Sequence, residues 1–388
     1  MTDASPNPSQ SDSKTFANRL VSLDIARGVV MILMAIDHVR VYSGLPAGGP
    51  TPGIFFTRWV THFCAPAFVF LAGTGAFLYG NKLNSKKSLA WYLFSRGIFL
   101  VVLELTLIRF TWTFNFHYSE FVLAGVIWML GWCMVMMAVL IWLPTWAVGT
   151  IGLLMIIFQS VFEKIATFLP ETLRSYYSFL YTSGVDGPPW IAILYVLIPW
   201  IGVMAAGYAF GSIMTRESDR RRRLCIIIGL VMTALFLILG PIAVHFGPPP
   251  RNPQPWLFQL LNQQKYPPSQ LFLLMTLGPT ILFIGLMEGA QNAVAKIIST
   301  VGRVPLFYYL MHIPLIHISA ILVDKFVRGD FQAQWFATAP FTGVPQDHRW
   351  ELWLLYIVWA IDVVILYVAC KWYAGVKARH PNSLLRYI

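Results

Sequence analysis

The sequence predicts an all-α, polytopic integral membrane bundle of about ten transmembrane helices, with N and C termini cytoplasmic. Three observations predict it. Of 388 residues, 57% are hydrophobic and only 12% charged, about half the charge of an ordinary soluble domain. Apolar stretches of the ~20-residue length that crosses a bilayer recur along the chain. Lys and Arg are divided unevenly between alternate connecting segments. A chain this apolar cannot hide its side chains in one water-facing core, so lipid is its solvent.

The stretches run Leu23–Tyr42, Thr57–Gly80, Ala90–Trp112, Phe121–Leu143, Trp146–Phe162, Ile191–Met214, Leu224–His245, Gln270–Met287, Val304–Val323 and Glu351–Trp372. Segments on the amino-terminal side of this alternation carry sixteen Lys and Arg, the opposite ones seven. That bias places the amino terminus inside. Residues 1–18, polar and rich in Ser, Pro and Asp, read as a disordered cytoplasmic tail without a cleavable signal. Residues 19–376 read as one transmembrane domain and 377–388 as a second cytoplasmic tail. The first span is then an uncleaved anchor in the cell inner (plasma) membrane, and the lipid bilayer is the chain's first partner.

The net charge of +11 does not imply nucleic acid. Arg220-Arg221-Arg222-Arg223 directly precedes an apolar span, where cytoplasmic membrane-flanking cations belong. Cys64, Cys133, Cys225 and Cys370 lie in or beside apolar stretches without CxxC spacing, so they read as packing residues, with neither disulfide nor metal expected. GxxxxGK[ST], HExxH, GxSxG and a Gly-rich dinucleotide turn are all missing, which removes support for ATP-driven, zinc-protease, serine-hydrolase and Rossmann chemistry.

Ionisable residues inside spans normally face a protein interior or a wet cavity. At 100° per residue, Asp24, Arg27 and His38 fall within ~40° of one stripe that runs ~21 Å up the first span. Asp37 points elsewhere. In the second span Arg58 and His62 share a face. In the third, Glu104 and Arg109 reach a similar depth, with Asn115, His117 and Glu120 just beyond. His312 stands one turn from Tyr308 and Tyr309 in the ninth span. Each has a bland reading beside the functional one. Arg27 is a flanking charge or a ligand contact, and Arg58 snorkels or joins the site. Glu104 is an orienting acid or half of an ion pair with Arg96 or Arg109. His38 is the natural proton acceptor, oriented by Asp37, Glu104 or another acid.

The run Arg19-Leu-Val-Ser-Leu-Asp24-Ile-Ala-Arg27-Gly28, followed by Asp37-His38, resembles the opening of the heparan-α-glucosaminide N-acetyltransferase-like membrane proteins, within the wider transmembrane acyltransferase superfamily. Arg58-Trp-Val-Thr-His62-Phe-Cys-Ala-Pro66 resembles the family's second span. Glu104–Phe116, Lys265-Tyr-Pro-Pro-Ser269 and Gly302-Arg-Val-Pro-Leu-Phe-Tyr-Tyr-Leu-Met-His312 resemble its bacterial branch. The resemblance implies acetyl-CoA as a cytoplasmic donor and an amino-sugar or envelope glycan acceptor on the outer side. The lysosomal enzyme's catalytic histidine lies in the loop between the first two spans, and Ser43–Phe56 contains none. The base is therefore His38 or His62, with Asp37 or Glu104 orienting it. Arg109, His62 or His312 would face the oxyanion or acceptor. Asp24 belongs to the stripe that lines the donor's passage, and Arg27, Lys296 and Arg303 would hold the CoA phosphates. Two other classes remain open on the residues alone: a proton-coupled transporter or exporter, and a non-catalytic envelope scaffold.

Overall fold

The computed structural model describes residues 20–49, 51–182, 191–248 and 254–380. The expected tail 1–18 and most of 377–388 lie outside the described residues. The chain is mostly helical. Helix α1 (Val21–Tyr42) is followed by α2 (Pro52–Trp59), a 3-10 turn at Val60–Phe63 and α3 (Cys64–Leu83). Next come α4 (Lys86–Leu103), a π turn at Glu104–Ile108 and α5 (Arg109–Thr113). Strand β1 (Leu123–Ala124), α6 (Val126–Leu140), α7 (Thr145–Ile157), α8 (Gln159–Phe168), α9 (Glu171–Tyr177) and β2 (Ala192–Ile193) follow. The remaining helices are α10 (Trp200–Met214), α11 (Ser218–Phe246), α12 (Trp256–Leu261), α13 (Gln270–Leu286), α14 (Ala293–Gly302), α15 (Pro305–Phe326) and α16 (Leu352–Arg379). The two short strands pair in parallel.

By length and composition, four helical runs qualify as membrane spans: Pro52–Leu83, Ser218–Phe246, Pro305–Phe326 and Leu352–Arg379. A fifth is formed if α7 and α8, bent by 61°, count as one. Several expected spans appear as shorter apolar helices, among them α6, α10 and α13. The expected span at Ile191–Met214 is helical only from Trp200, because Ile191–Pro199 supplies β2 and a loop. Pro314 sits inside α15 without ending it.

Helices α11 and α16 form much of the periphery: 22% and 28% of their apolar windows are buried, and Leu237, Ile238, Val364 and Val368 are exposed. Such continuous apolar surface is incompatible with water. Helix α1 lies inside, against α3, α14, α15 and α16. Its contact with α14 is backbone to backbone. A Cβ on Gly302 would strike the Asp24 carbonyl, and one on Gly28 the Ile298 carbonyl. Glycine at both positions permits that approach.

Both ends of α1 are anchored. At the entry end, Glu288 between α13 and α14 accepts from Ser22 and Ser218 Oγ, each at 3.0 Å, and is ion-paired with Arg221. At the exit end, Thr342 Oγ1 donates to the Val41 carbonyl at 2.8 Å and Trp350 N–H to the Ser43 carbonyl at 3.0 Å. Those bonds satisfy carbonyls that a helix end leaves open. All four cysteines are free and buried.

Candidate functional site

The helical stripe of α1 opens onto a cavity at its entry end. Asp24, Arg27 and Met31 line it, together with Lys82 and Tyr79 of α3, Arg96 of α4, Arg303, Tyr309 of α15 and Lys377 of α16. Its volume is about 1100 Å³, enough for a cofactor-sized ligand. Five basic side chains therefore face one carboxylate. Arg27 Nη1 lies 3.4 Å from Asp24 Oδ1, and Nη2 donates to the Leu71 carbonyl. Deeper in, the lining turns apolar at Leu71, Leu100 and Met134, and it includes Tyr309. Lys296 does not join. It is exposed on α14, whose buried face is carried by Ala295, Ser299 and Gly302.

One turn beyond Tyr309, His312 is fully buried and its Nε2 lies 2.6 Å from His38 Nδ1. The ring centroids are 4.8 Å apart with planes 25° apart, so the two imidazoles meet edge to edge. His312 Nδ1 is 2.6 Å from the Tyr309 carbonyl. A carbonyl only accepts, so His312 Nδ1 carries the hydrogen. In the neutral ring, Nε2 is then an acceptor and takes the hydrogen of His38 Nδ1. That chain leaves His38 Nε2 with its lone pair free of a proton. Trp112 meets the His38 ring edge-on at 4.9 Å.

A second group of polar side chains surrounds Asp37 at the exit end of α1. Asp37 Oδ1 accepts from Arg40 Nε at 2.8 Å. Arg58, Lys265 and His38 all lie within electrostatic reach of Asp37. Arg58 lies within electrostatic reach of Tyr266, whose hydroxyl is 3.5 Å from that of Tyr195. Lys265 Nζ stands 5.2 Å from the Tyr266 ring. His62 is 4% exposed and packs against Phe272 at 5.5 Å. The fields of Lys265, Arg58 and Asp37 reach it.

Two expected members are committed to other partners, although the field of Glu104 reaches Tyr309. Glu104 Oε2 accepts the N–H of Ile127 at 3.0 Å and of Trp128 at 3.3 Å, so its carboxylate caps the start of α6, where orphan N–H groups and the helix dipole favour an anion. Arg109 donates to the carbonyls of Phe121 and His117 at 2.9 and 2.8 Å and to Asn115 Oδ1 at 2.6 Å. Its guanidinium stands 4.5 Å from the Tyr118 ring. Those bonds commit it to holding the loop after α5. Of the sequence candidates, Asp24, Arg27 and Arg303 meet at the cavity, His38 meets His312, and Asp37 and His62 share the cationic cluster. Lys82 and Lys377 were legible only as flanking cations, Arg96 only as an ion-pair partner for Glu104, Lys265 and Tyr266 only through the resemblance of Lys265–Ser269, and Tyr195 only as part of the apolar stretch Ile191–Met214.

Among the described residues, no group of three or more His, Cys, Asp or Glu is placed to hold a metal ion. The family model described as heparan-alpha-glucosaminide N-acetyltransferase, catalytic, matches residues 19–245. His38, Asp37, Arg27 and His62 fall within that stretch, whereas Lys265, Arg303 and His312 follow it. No curated protein matches the chain.

Proposed function

The chain belongs to the heparan-alpha-glucosaminide N-acetyltransferase catalytic family, and from that membership we propose that it moves an acetyl group from cytoplasmic acetyl-CoA to an amino-sugar or envelope glycan on the far side of the inner membrane. The observation that carries this reading is the alignment of three features along α1. A strongly basic cavity mouth gives way to an apolar lining, and Tyr309 joins that lining to the His312–His38 pair.

In this reading Arg27, Arg303, Lys82, Arg96 and Lys377 hold the CoA phosphates, for which guanidinium and ammonium groups are suited. The apolar lining carries the pantetheine arm. Arg27 and His38 are eleven residues apart, ~16 Å along the helix, so the thioester arrives near the histidines while the phosphates stay at the mouth. The acceptor amine or hydroxyl attacks the thioester carbonyl, and His38 Nε2 takes its proton. The carbon–sulfur bond then breaks, and the leaving thiolate recovers that proton to depart as CoA thiol. His312 holds the His38 tautomer and, through the same hydrogen bond, stabilises the imidazolium that forms. The approach from two ends of α1 accords with a ten-span chain whose termini are cytoplasmic and whose residues 19–376 form one transmembrane domain.

The test is CoA thiol release by the purified full chain in nanodiscs, supplied with acetyl-CoA and a panel of amino-sugar and glycan acceptors. The reading requires acceptor-dependent thiol release that His38→Ala abolishes. Equal release by wild type and His38→Ala across the panel would sink it.

A further inference from the structure

We infer that the groove between α4 and α6 seats an anionic phospholipid of the cytoplasmic leaflet, its acyl chain lying along the groove and its phosphate on Lys87. The choice of leaflet rests on the Lys and Arg bias that sets the chain's orientation; the site itself does not depend on the acetyltransferase reading.

The groove starts where the two helices touch. Gly97 and Gly131 pack backbone to backbone, and a Cβ on either would strike the carbonyl of the other. From that crossing to Lys87 is ten residues of α4, ~15 Å along the axis, half the depth of a ~30 Å hydrocarbon core. Ala90, Trp91 and Phe94 of α4 and Val135, Ala138 and Val139 of α6 line a volume of about 440 Å³, with Lys87 at its end. Spread over ~15 Å, that volume has a cross-section of about 30 Å², room for an acyl chain but not for a helix ~10–12 Å across. Ala138 is buried while Trp91, Phe94 and Val139 are exposed, so small side chains give the groove depth and large ones give it a rim.

The charge at the mouth is unmatched. Lys86 Nζ donates to the Trp142 carbonyl at 3.0 Å, which ties the start of α4 to the end of α6. Its neighbour Lys87 is exposed, and among the described residues no carboxylate lies at ion-pair distance from it. Both lysines stand in the first turn of α4, where unpaired N–H groups and the helix dipole already favour an anion. Trp91 and Trp142 are exposed toward that end, as indoles are at a membrane–water boundary, so Lys87 stands at headgroup depth. An apolar trough one leaflet long with a cation at its polar end suits an anionic lipid, which adheres through buried apolar area and electrostatic attraction together. The opposite faces of the same helices wall the basic cavity, through Tyr92 and Arg96 of α4 and Leu130 and Met134 of α6. Lipid and cavity thus lie on two sides of one partition.

The experiment titrates the purified full chain in detergent with phosphatidylglycerol and, separately, with phosphatidylethanolamine of the same acyl chains, and counts bound lipids by native mass spectrometry. The wild type should bind its first phosphatidylglycerol about 5-fold more tightly than its first phosphatidylethanolamine, the worth of one basic side chain beside an anionic headgroup. Lys87→Gln should abolish that preference, and Lys87→Arg should keep it. Lys164→Gln, which removes an exposed cation elsewhere on the chain, should leave it intact. Ala90→Phe fills the groove and should lower the number of retained lipids of either kind by one per chain. The site is overturned by equal affinity for the two lipids in the wild type, by a preference that Lys164→Gln weakens as much as Lys87→Gln does, or by undiminished retention in Ala90→Phe. A wild-type dimer that Ala90→Phe dissociates would name a second copy of the chain as the occupant and overturn the lipid as well.

Discussion

Replacing His312 by alanine removes the acceptor that fixes the His38 tautomer, and the structure sets the size of the effect. The bond between His38 Nδ1 and His312 Nε2 is 2.6 Å long and shielded by a fully buried ring. With His38 neutral it is an ordinary hydrogen bond, worth about 1 kcal/mol net; once His38 takes a proton it is a bond to a charged group, worth about 1.5–3 kcal/mol. The difference, about 0.5–2 kcal/mol, is expressed only as the proton moves. It corresponds to a loss of about 2- to 30-fold in kcat. KM for acetyl-CoA should be unchanged, since His312 is remote from the cationic mouth. His38→Ala should cost more, on the order of 10²- to 10⁴-fold, as removal of a general base does. The double variant should be no worse than His38→Ala, because His312 acts through His38. The assay is initial-rate thiol release with both substrates varied, with His312→Gln included because its amide oxygen can accept the same hydrogen. A His312→Ala enzyme that changes only KM, or whose defect adds in full to that of His38→Ala, would refute the relay.

Three further outcomes follow from the geometry. Arg27→Gln should raise KM for acetyl-CoA about 10-fold while leaving a phosphate-free acetyl thioester unaffected; equal losses for both donors would count against phosphate binding at the cavity mouth. Burial alone would raise the Glu288 carboxyl, but the Arg221 hydrogen bond and charge outweigh it, with help from Ser218 and Ser22, and hold it below the usual range. Its contribution to stability is thus complete above the ordinary glutamate pKa of about 4.3 and declines as pH falls through the lowered value. Thermal melts from pH 6 to pH 3 should show that acid-side loss in wild type and a smaller one in Glu288→Gln. Gly302→Val should destabilise the chain by at least about 1–3 kcal/mol, because its Cβ meets backbone and not a movable side chain; a melting temperature equal to wild type would contradict the packing of α14 on α1.

What could be read from the amino acids depended on whether a residue's role is set by its own helix. Asp24 and Arg27 line the cavity because the helical repeat of α1 leaves them little choice, and the same repeat delivers His38 to the interior. Its partner lies 274 residues away, so spacing gives no hint of it. Glu104 and Arg109 sit at plausible depths, yet their bonds go to the start of α6 and to loop carbonyls. Lys296 was expected near the donor, but α14 is a helix whose small residues face α1 and turn the lysine outward. Lys265 and Tyr266 come from a segment that carries no period, and Tyr195 from a stretch that reads as a span but is helical only from Trp200. The same limit applies to the spans: ten apolar stretches are legible by composition, whereas the four or five that qualify by helix length depend on where bends and turns interrupt them.

The π turn at Glu104–Ile108 has a mechanical consequence. A π turn holds one residue more than the helix around it, so the surplus residue is taken up in a widened turn and the segment beyond keeps its facing. Winding the same residues as regular α-helix would instead swing everything downstream through about 100°. Glu104, on the near side, would keep its grip on α6, while Arg109 would be carried off its ring of loop carbonyls. The widened turn is what lets both ends of that helix meet their partners at once.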